Sequence, residues 1–255
     1  MGGTCTLVNQ ATEGEVEDVT RYLLSHPLGE RTPVYRDNPP VEVRRQHAID
    51  RGDPFDQSWV GAVTHSGTHM DCPRHFNPEG LAVSQLTADQ MVFNHIVVAD
   101  VPTADDGLIT AARLIPLRDR LEVAELLLIR TGFGAVRQAD PHRYGWHNPG
   151  FDESAGQFLL KFRALRAVGL DTPSASAAQH LEAGLLFHQA VLGTHRPGAP
   201  PFFILEDVDL SLPIDYLDRV YVVPLMIEGV DSGPCTILAE VDQVHDDQPG
   251  NRGCP

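Results

Sequence analysis

The run His65-Ser-Gly-Thr-His69-Met-Asp71-Cys-Pro-Arg-His75-Phe76 limits what this chain can fold into more than any other stretch. It places three imidazoles and one carboxylate within eleven positions, and Gly67 and Pro73 punctuate it. Such a segment does not run as a continuous helix. In an extended segment, alternate side chains share a face. His69 and Asp71 then face one point, and a bend at Gly67 brings His65 in beside them. Two imidazoles and a carboxylate make a mixed nitrogen and oxygen ligand set suited to zinc, manganese or iron(II). Cys72 is expected to point away from that set, opposite to Asp71.

Around this run the pattern alternates between short apolar stretches and helical periodicities. His95–Asp100, Glu125–Thr131, Ala167–Asp171, Phe202–Leu205, Val220–Pro224 and Thr236–Val241 read as strands, several of them buried. Val41–Ile49 and Trp59–Thr64 add two more, the second leading into the histidine run. Helices are expected at 12–24, where Thr12 and Glu15 have capping-box spacing, and at 110–121, 151–165 and 177–192. Residues 141–149, with Tyr144, Trp146 and His147, read as an aromatic loop. Alternating strands and helices indicate an α/β protein. The segment 242–255 is polar and carries Pro and Gly, and reads as a loose tail.

Composition excludes several classes. The 255 residues carry a formal net charge of −16, which argues against nucleic acid and against an anionic membrane surface as partners. No stretch of about 18 apolar residues marks a membrane span. The four cysteines, Cys5, Cys72, Cys235 and Cys254, are far apart and form no Cys-x-x-Cys pair. A reducing, cytoplasmic setting is the simpler reading. There is no phosphate-cradling glycine loop and no Gly-x-Ser-x-Gly elbow.

The histidine run resembles the signature of the cyclase family of metal-dependent hydrolases, His-x-Gly-Thr-His-x-Asp-x-Pro-x-His-Phe, at every fixed position. That family includes bacterial kynurenine formamidases, isatin hydrolases and enzymes called cyclases in natural-product pathways. Thr32-Pro-Val-Tyr35, Arg130-Thr-Gly-Phe133, Gly169-Leu-Asp171-Thr-Pro-Ser174 and Pro224-Leu225 are similar to further family segments, so the likeness spans about residues 5 to 241. The resemblance implies a single domain of the swivelling β/β/α type, with a curved, barrel-like mixed sheet and flanking helices, assembled as a homodimer or homotetramer. It implies His65, His69 and Asp71 as metal ligands. It also implies His75 as general base or acid, a fourth ligand being the alternative. His188 and Glu206 stand where the family has a later His and Glu, which hold a second metal in some members; in others the Glu serves proton transfer. The segment Gly193–Pro200 looks longer than in the formamidases, so the resemblance leaves one or two metals per chain.

The chemistry expected of this set is hydrolysis. A divalent metal lowers the pKa of water toward about 7 and polarises a carbonyl. The reading is therefore a zinc- or manganese-dependent hydrolase of a carbon–nitrogen bond in a small aromatic amide, either an aryl formamide or a cyclic amide such as isatin. A metal-dependent cyclase or dehydratase in natural-product biosynthesis is one alternative, and a non-catalytic metal-binding protein is another. Trp59, Phe76, Phe133, Tyr144 and Trp146 are candidates to line a pocket for a flat substrate, with Trp59 and Phe76 foremost.

Overall fold

The structure, a computed structural model, describes residues 19–194, 196–212 and 215–242. Its strands are β1 (Val19–Leu23), β2 (Glu42–His47), β3 (Gln57–Gly61), β4 (His69–Asp71), β5 (Val92–Phe93), β6 (Ile96–Asp100), β7 (Leu108–Ile109), β8 (Leu126–Arg130), β9 (Gly150–Phe151), β10 (Ala167–Leu170), β11 (Phe203–Glu206), β12 (Arg219–Pro224) and β13 (Ser232–Asp242). The α-helices are α1 (Ala111–Leu114), α2 (Arg118–Leu121), α3 (Val136–Ala139), α4 (Pro141–Trp146), α5 (Glu153–Leu159) and α6 (Leu181–Leu192).

One mixed sheet carries the fold, in the order β5-β12-β13-β4-β11-β10-β8-β6, with β1 also paired to β13. Strands β6, β8, β10 and β11 are parallel to one another, while β4 lies antiparallel between β11 and β13. The two ends of this order, β5 and β6, are separated in the chain by Asn94 and His95 alone. Three Cα–Cα links span at most about 11 Å, so the two edges of the sheet stand close together and the sheet curls into a nearly closed barrel. This is the curved, barrel-like mixed sheet that the family resemblance implies.

Strand β8 shows why its sequence is apolar throughout. Leu126 and Leu128 face an inner cluster with Met70, Phe93, Phe203, Leu205 and Ile237. Leu127 and Ile129 face an outer cluster with Phe151, Phe158, Phe187 and Val191. Strands buried on both faces read as continuous hydrophobic runs. Helix α6 covers the outer face with Gly184, Phe187, His188 and Val191, at the helical spacing of three and four. Gly184 is required there, since a Cβ would lie 2.2 Å from Ser176 Oγ.

Several expectations shift. Residues 19–23, expected in a first helix, form β1 against β13; residues 12–18 and the tail beyond 242 lie outside the described residues. The expected aromatic loop at 141–149 opens with α4, where Asp140 caps the Arg143 N–H and Pro141 takes the first turn. The helix expected over 151–165 is α5, preceded by β9, and that expected over 177–192 begins at Leu181. Strand β13 starts four residues earlier than its apolar pattern suggests. Among the described residues no helix is long and apolar enough to cross a membrane.

Candidate metal centre

The histidine run folds as its spacing demands. Gly67, at φ +66°, bends the chain ahead of β4. Within β4, His69 and Asp71 share one face, and Met70 points into the inner apolar cluster. Cys72 joins Met70 there, as a free thiol away from the ligands, and burial pushes its pKa up. Pro73–His75 forms a 3-10 turn that presents His75.

Neighbouring strands bring the remaining ligands. Glu206, the last residue of β11, pairs across the ladder with His69. His188 lies on the buried face of α6. Its Nδ1–H donates to the Gly184 carbonyl (2.8 Å), and His69 Nδ1–H donates to the Gly67 carbonyl (2.8 Å). In both rings this leaves Nε2 as the lone-pair nitrogen, the tautomer control expected of a ligating histidine. His69 Nε2 lies 3.4 Å from Asp71 Oδ1 and 3.1 Å from Glu206 Oε2, and His65 Nδ1 lies 2.9 Å from Asp71 Oδ1. His188 Nε2 lies 3.5 Å from Glu206 Oε1 and 4.0 Å from Asp71 Oδ2.

These approaches are short, yet His69 Nε2 and both Asp71 oxygens are buried without a hydrogen-bond partner. Orphaned polar atoms in a protein interior cost free energy and call for an explanation. Here lone pairs face lone pairs around common points. Donors about 2.0–2.2 Å from one cation stand roughly 2.8–3.6 Å apart on an octahedron or tetrahedron, which brackets the separations of His65 and of His69 from Asp71. The second group, Asp71, His188 and Glu206, shares Asp71 with the first and is somewhat wider. The donor set therefore fits a divalent cation. Without one, the cluster draws in protons. Burial alone would lower the His65 pKa, but Asp71 and Asp231 outweigh it and raise it to about 11. Burial and Asp71 push Glu206 up, and the His188 and His69 rings beside it bring it below its ordinary value when they take up protons.

The centre forms the floor of a cleft of about 340 Å³, lined by Phe76, Val63, Leu181 and Leu185 on its apolar side and by Tyr35 and Ser174 among its polar groups. Phe76 stacks on the His188 ring at 5.3 Å. Tyr35 Oη is buried without a partner, and burial raises its pKa to about 12, so it keeps its proton. The Gly169–Ser174 segment supports the floor. Asp171 accepts from the Thr131 and Gly132 N–H groups, and Ser174 Oγ and the Ala175 N–H donate to Glu206 Oε1.

Six of the expected site residues, His65, His69, Asp71, His75, His188 and Glu206, gather around this floor. Of the aromatic candidates, Phe76 lines the cleft. Phe133 and Tyr144 are buried and stacked on each other, and Trp146 lies under Arg36. Trp59 sits on the β2–β3 hairpin, 41% exposed, beneath the Arg44 guanidinium and apart from the residues that line the cleft. Sequence reading missed Asp231, the residue before β13. Its Oδ2 accepts from His75 Nδ1 (2.6 Å) and His65 Nε2 (3.0 Å). An Asp followed by Ser-Gly-Pro carries no local signal of that role. The exposed-looking Leu181 and Leu185 were equally hard to assign to a cleft.

Known proteins share this fold. An uncharacterized protein of Haemophilus influenzae is 31% identical over 126 residues, 49% of this chain and 89% of that protein. Isatin hydrolase A from Labrenzia aggregata, solved with benzyl benzoate, superposes with a TM-score of 0.72 at 23% identity, covering 88% of this chain and 94% of that one. A predicted metal-dependent hydrolase from Bacillus stearothermophilus gives 0.67 at 21% identity, over 87% and 98%. These likenesses show a shared fold. The family model described as putative cyclase matches residues 22–177, which hold the whole histidine run, and the chain belongs to that Cyclase family.

Proposed function

We propose that this protein is a metal-dependent hydrolase that cleaves a carbon–nitrogen bond in a small aromatic amide, an aryl formamide or a cyclic amide such as isatin. The observation that carries this reading is the set of orphaned, buried donors of His69 and Asp71 on the floor of a cleft with an aromatic wall. His65, His69 and Asp71 would hold one divalent cation, zinc or manganese, and Asp71, His188 and Glu206 would hold a second where two bind. Such a cation supplies Lewis acidity toward a carbonyl and makes hydroxide available near neutral pH.

The chain's own groups do the rest. Phe76, Leu181 and Leu185 exclude water from the face of a flat substrate. Tyr35 Oη offers a proton to a substrate oxygen. His75, on the cleft wall, takes the proton of the attacking water and returns it to the leaving nitrogen. Benzyl benzoate on the Labrenzia isatin hydrolase shows that this fold takes an aromatic ligand in that protein, which favours the aromatic class. The reading includes assembly as a homodimer or homotetramer, supported by the β2–β3 hairpin, whose strand residues are all exposed or half-buried. Light scattering on the purified chain tests that part.

Elemental analysis of chain purified without chelator, followed by assay on aryl formamides and isatin, tests the function. One or two metals per chain and turnover that stops in His69→Ala are the expected results. A wild-type chain that takes up neither zinc nor manganese would sink the hydrolase reading.

A further inference from the structure

We propose that Asp231 is the positioning residue that fixes the ring tautomer and orientation of both His65 and His75, coupling the metal centre to the proton-transferring histidine. The inference rests on the hydrolase reading above and adds to it a residue outside the histidine run. Two bonds carry it: Asp231 Oδ2 is 2.6 Å from His75 Nδ1 and 3.0 Å from His65 Nε2. A carboxylate only accepts hydrogen bonds. Each ring nitrogen that faces it therefore carries the hydrogen. The His65 nitrogen left to a cation is then Nδ1, which lies 2.9 Å from Asp71 Oδ1 inside the ligand cluster and would give up its proton when a cation binds. His75 keeps its Nε2 lone pair, its one nitrogen not engaged by Asp231, on a ring that lines the cleft. With Nδ1 of His75 committed to Asp231, Nε2 is the nitrogen that can take and return a proton in the cleft.

The carboxylate is held in place by backbone. The Cys72 N–H donates to the Asp231 carbonyl (2.9 Å), and the Val83 N–H donates to the Val230 carbonyl (3.0 Å). Strand β13 then leaves directly from Ser232, which pairs with Asp71. The two imidazoles that share the carboxylate pack 4.3 Å apart between ring centroids. One acceptor thus sets two rings with different tasks. Carboxylates that orient ligating histidines typically contribute about 10–100-fold in metal affinity or activity.

The test uses Asp231→Asn, with Asp231→Glu as the conservative partner, both in the full chain. Nitrogen-15 shifts of the His75 ring are read with and without zinc, at a pH where they no longer move. Zinc affinity and steady-state kinetics are measured alongside. We expect His75 protonated on Nδ1 in the wild type and shifted toward Nε2–H in Asp231→Asn. Zinc affinity should fall about 10–100-fold, kcat should fall with KM little changed, and Asp231→Glu should recover part of each loss. A folded Asp231→Asn chain with the wild-type His75 tautomer and a zinc Kd within about twofold overturns the proposal. If the wild-type chain binds no zinc, the hydrolase reading fails. The zinc-free tautomer comparison then decides the role of Asp231 alone: a shift supports it and no shift overturns it.

Discussion

Glu206 and Asp207 are consecutive, and both are buried carboxylates, yet they enter opposite kinds of surroundings. Asp207 takes two 2.7 Å bonds from the Arg137 guanidinium and one of 2.6 Å from Tyr144 Oη. Its backbone N–H donates to the Thr172 carbonyl, and its own carbonyl accepts from Thr68 Oγ1. Every polar atom of Asp207 is answered from within the chain. Glu206 turns the other way, toward His69, His188 and an Asp71 whose two oxygens have no partner. A buried charge needs a counter-charge. In one case the protein supplies it as an arginine, and in the other it leaves room for an ion from solution. The first cluster holds the fold, and the second trades stability for a binding site.

The largest effect that separates the two should come from Arg137→Met. It leaves Asp207 buried and unpaired, and breaking a buried pair from one side costs about 3–5 kcal/mol. Urea denaturation should show that loss, while the folded fraction still takes up metal. Unchanged stability would mean the knot is not structural. Next comes metal loading. At a free zinc concentration near 100 times Kd, binding stabilises by about 2.7 kcal/mol. Thermal melts should show this gain in the wild type and its absence in Asp71→Asn. A zinc response in that variant would break the comparison.

A smaller effect follows from protons. The His65 pKa is raised to about 11 in the metal-free chain, where Asp71 and Asp231 overcome the effect of burial. At pH 7 that ring is protonated, so a metal must displace the proton. Apparent affinity should therefore rise with pH between about 6 and 8, by roughly tenfold or 1.4 kcal/mol per unit for each proton released. Calorimetry in buffers of different ionisation enthalpy counts the protons, and no release at pH 7 would contradict this account. The smallest effect is expected for Tyr35→Phe, about 1 kcal/mol, seen as a several-fold loss in kcat/KM with metal content unchanged. Equal kinetics would remove Tyr35 from substrate contact.

What the sequence discloses follows the distance over which each relation acts. His65, His69, Asp71 and His75 are legible because spacing within one bent segment decides where they face. The alternation of β8 and the buried stripe of α6 are legible for the same reason. Helix α4 carried its signal too, in the Asp140 cap and Pro141, but aromatic residues masked it. Strand β1 was misread because Val19 and Leu23 fit a helical period equally well, and pairing with β13 settles the matter. His188 and Glu206 rest mainly on the family resemblance, with the carboxylate at the end of an apolar strand as the one local sign for Glu206. Asp231 was invisible, since only the path of β13 past β4 brings it to residues more than a hundred positions earlier. Trp59 fails as a cleft residue because β2 and β3 form their own two-stranded sheet.

Strand β4 has three residues, and both its neighbours, β11 and β13, lie far downstream: His69 pairs with Glu206 and with Pro234. During synthesis at about 5–20 residues per second, the first of these partners follows roughly 7–30 s after the histidines. Through that interval His65, His69 and Asp71 have no strand on either side to hold them. The nascent chain thus displays a loose chelating peptide well before it owns a site. The native arrangement of these donors requires β11 and β13 to be in place on either side of β4.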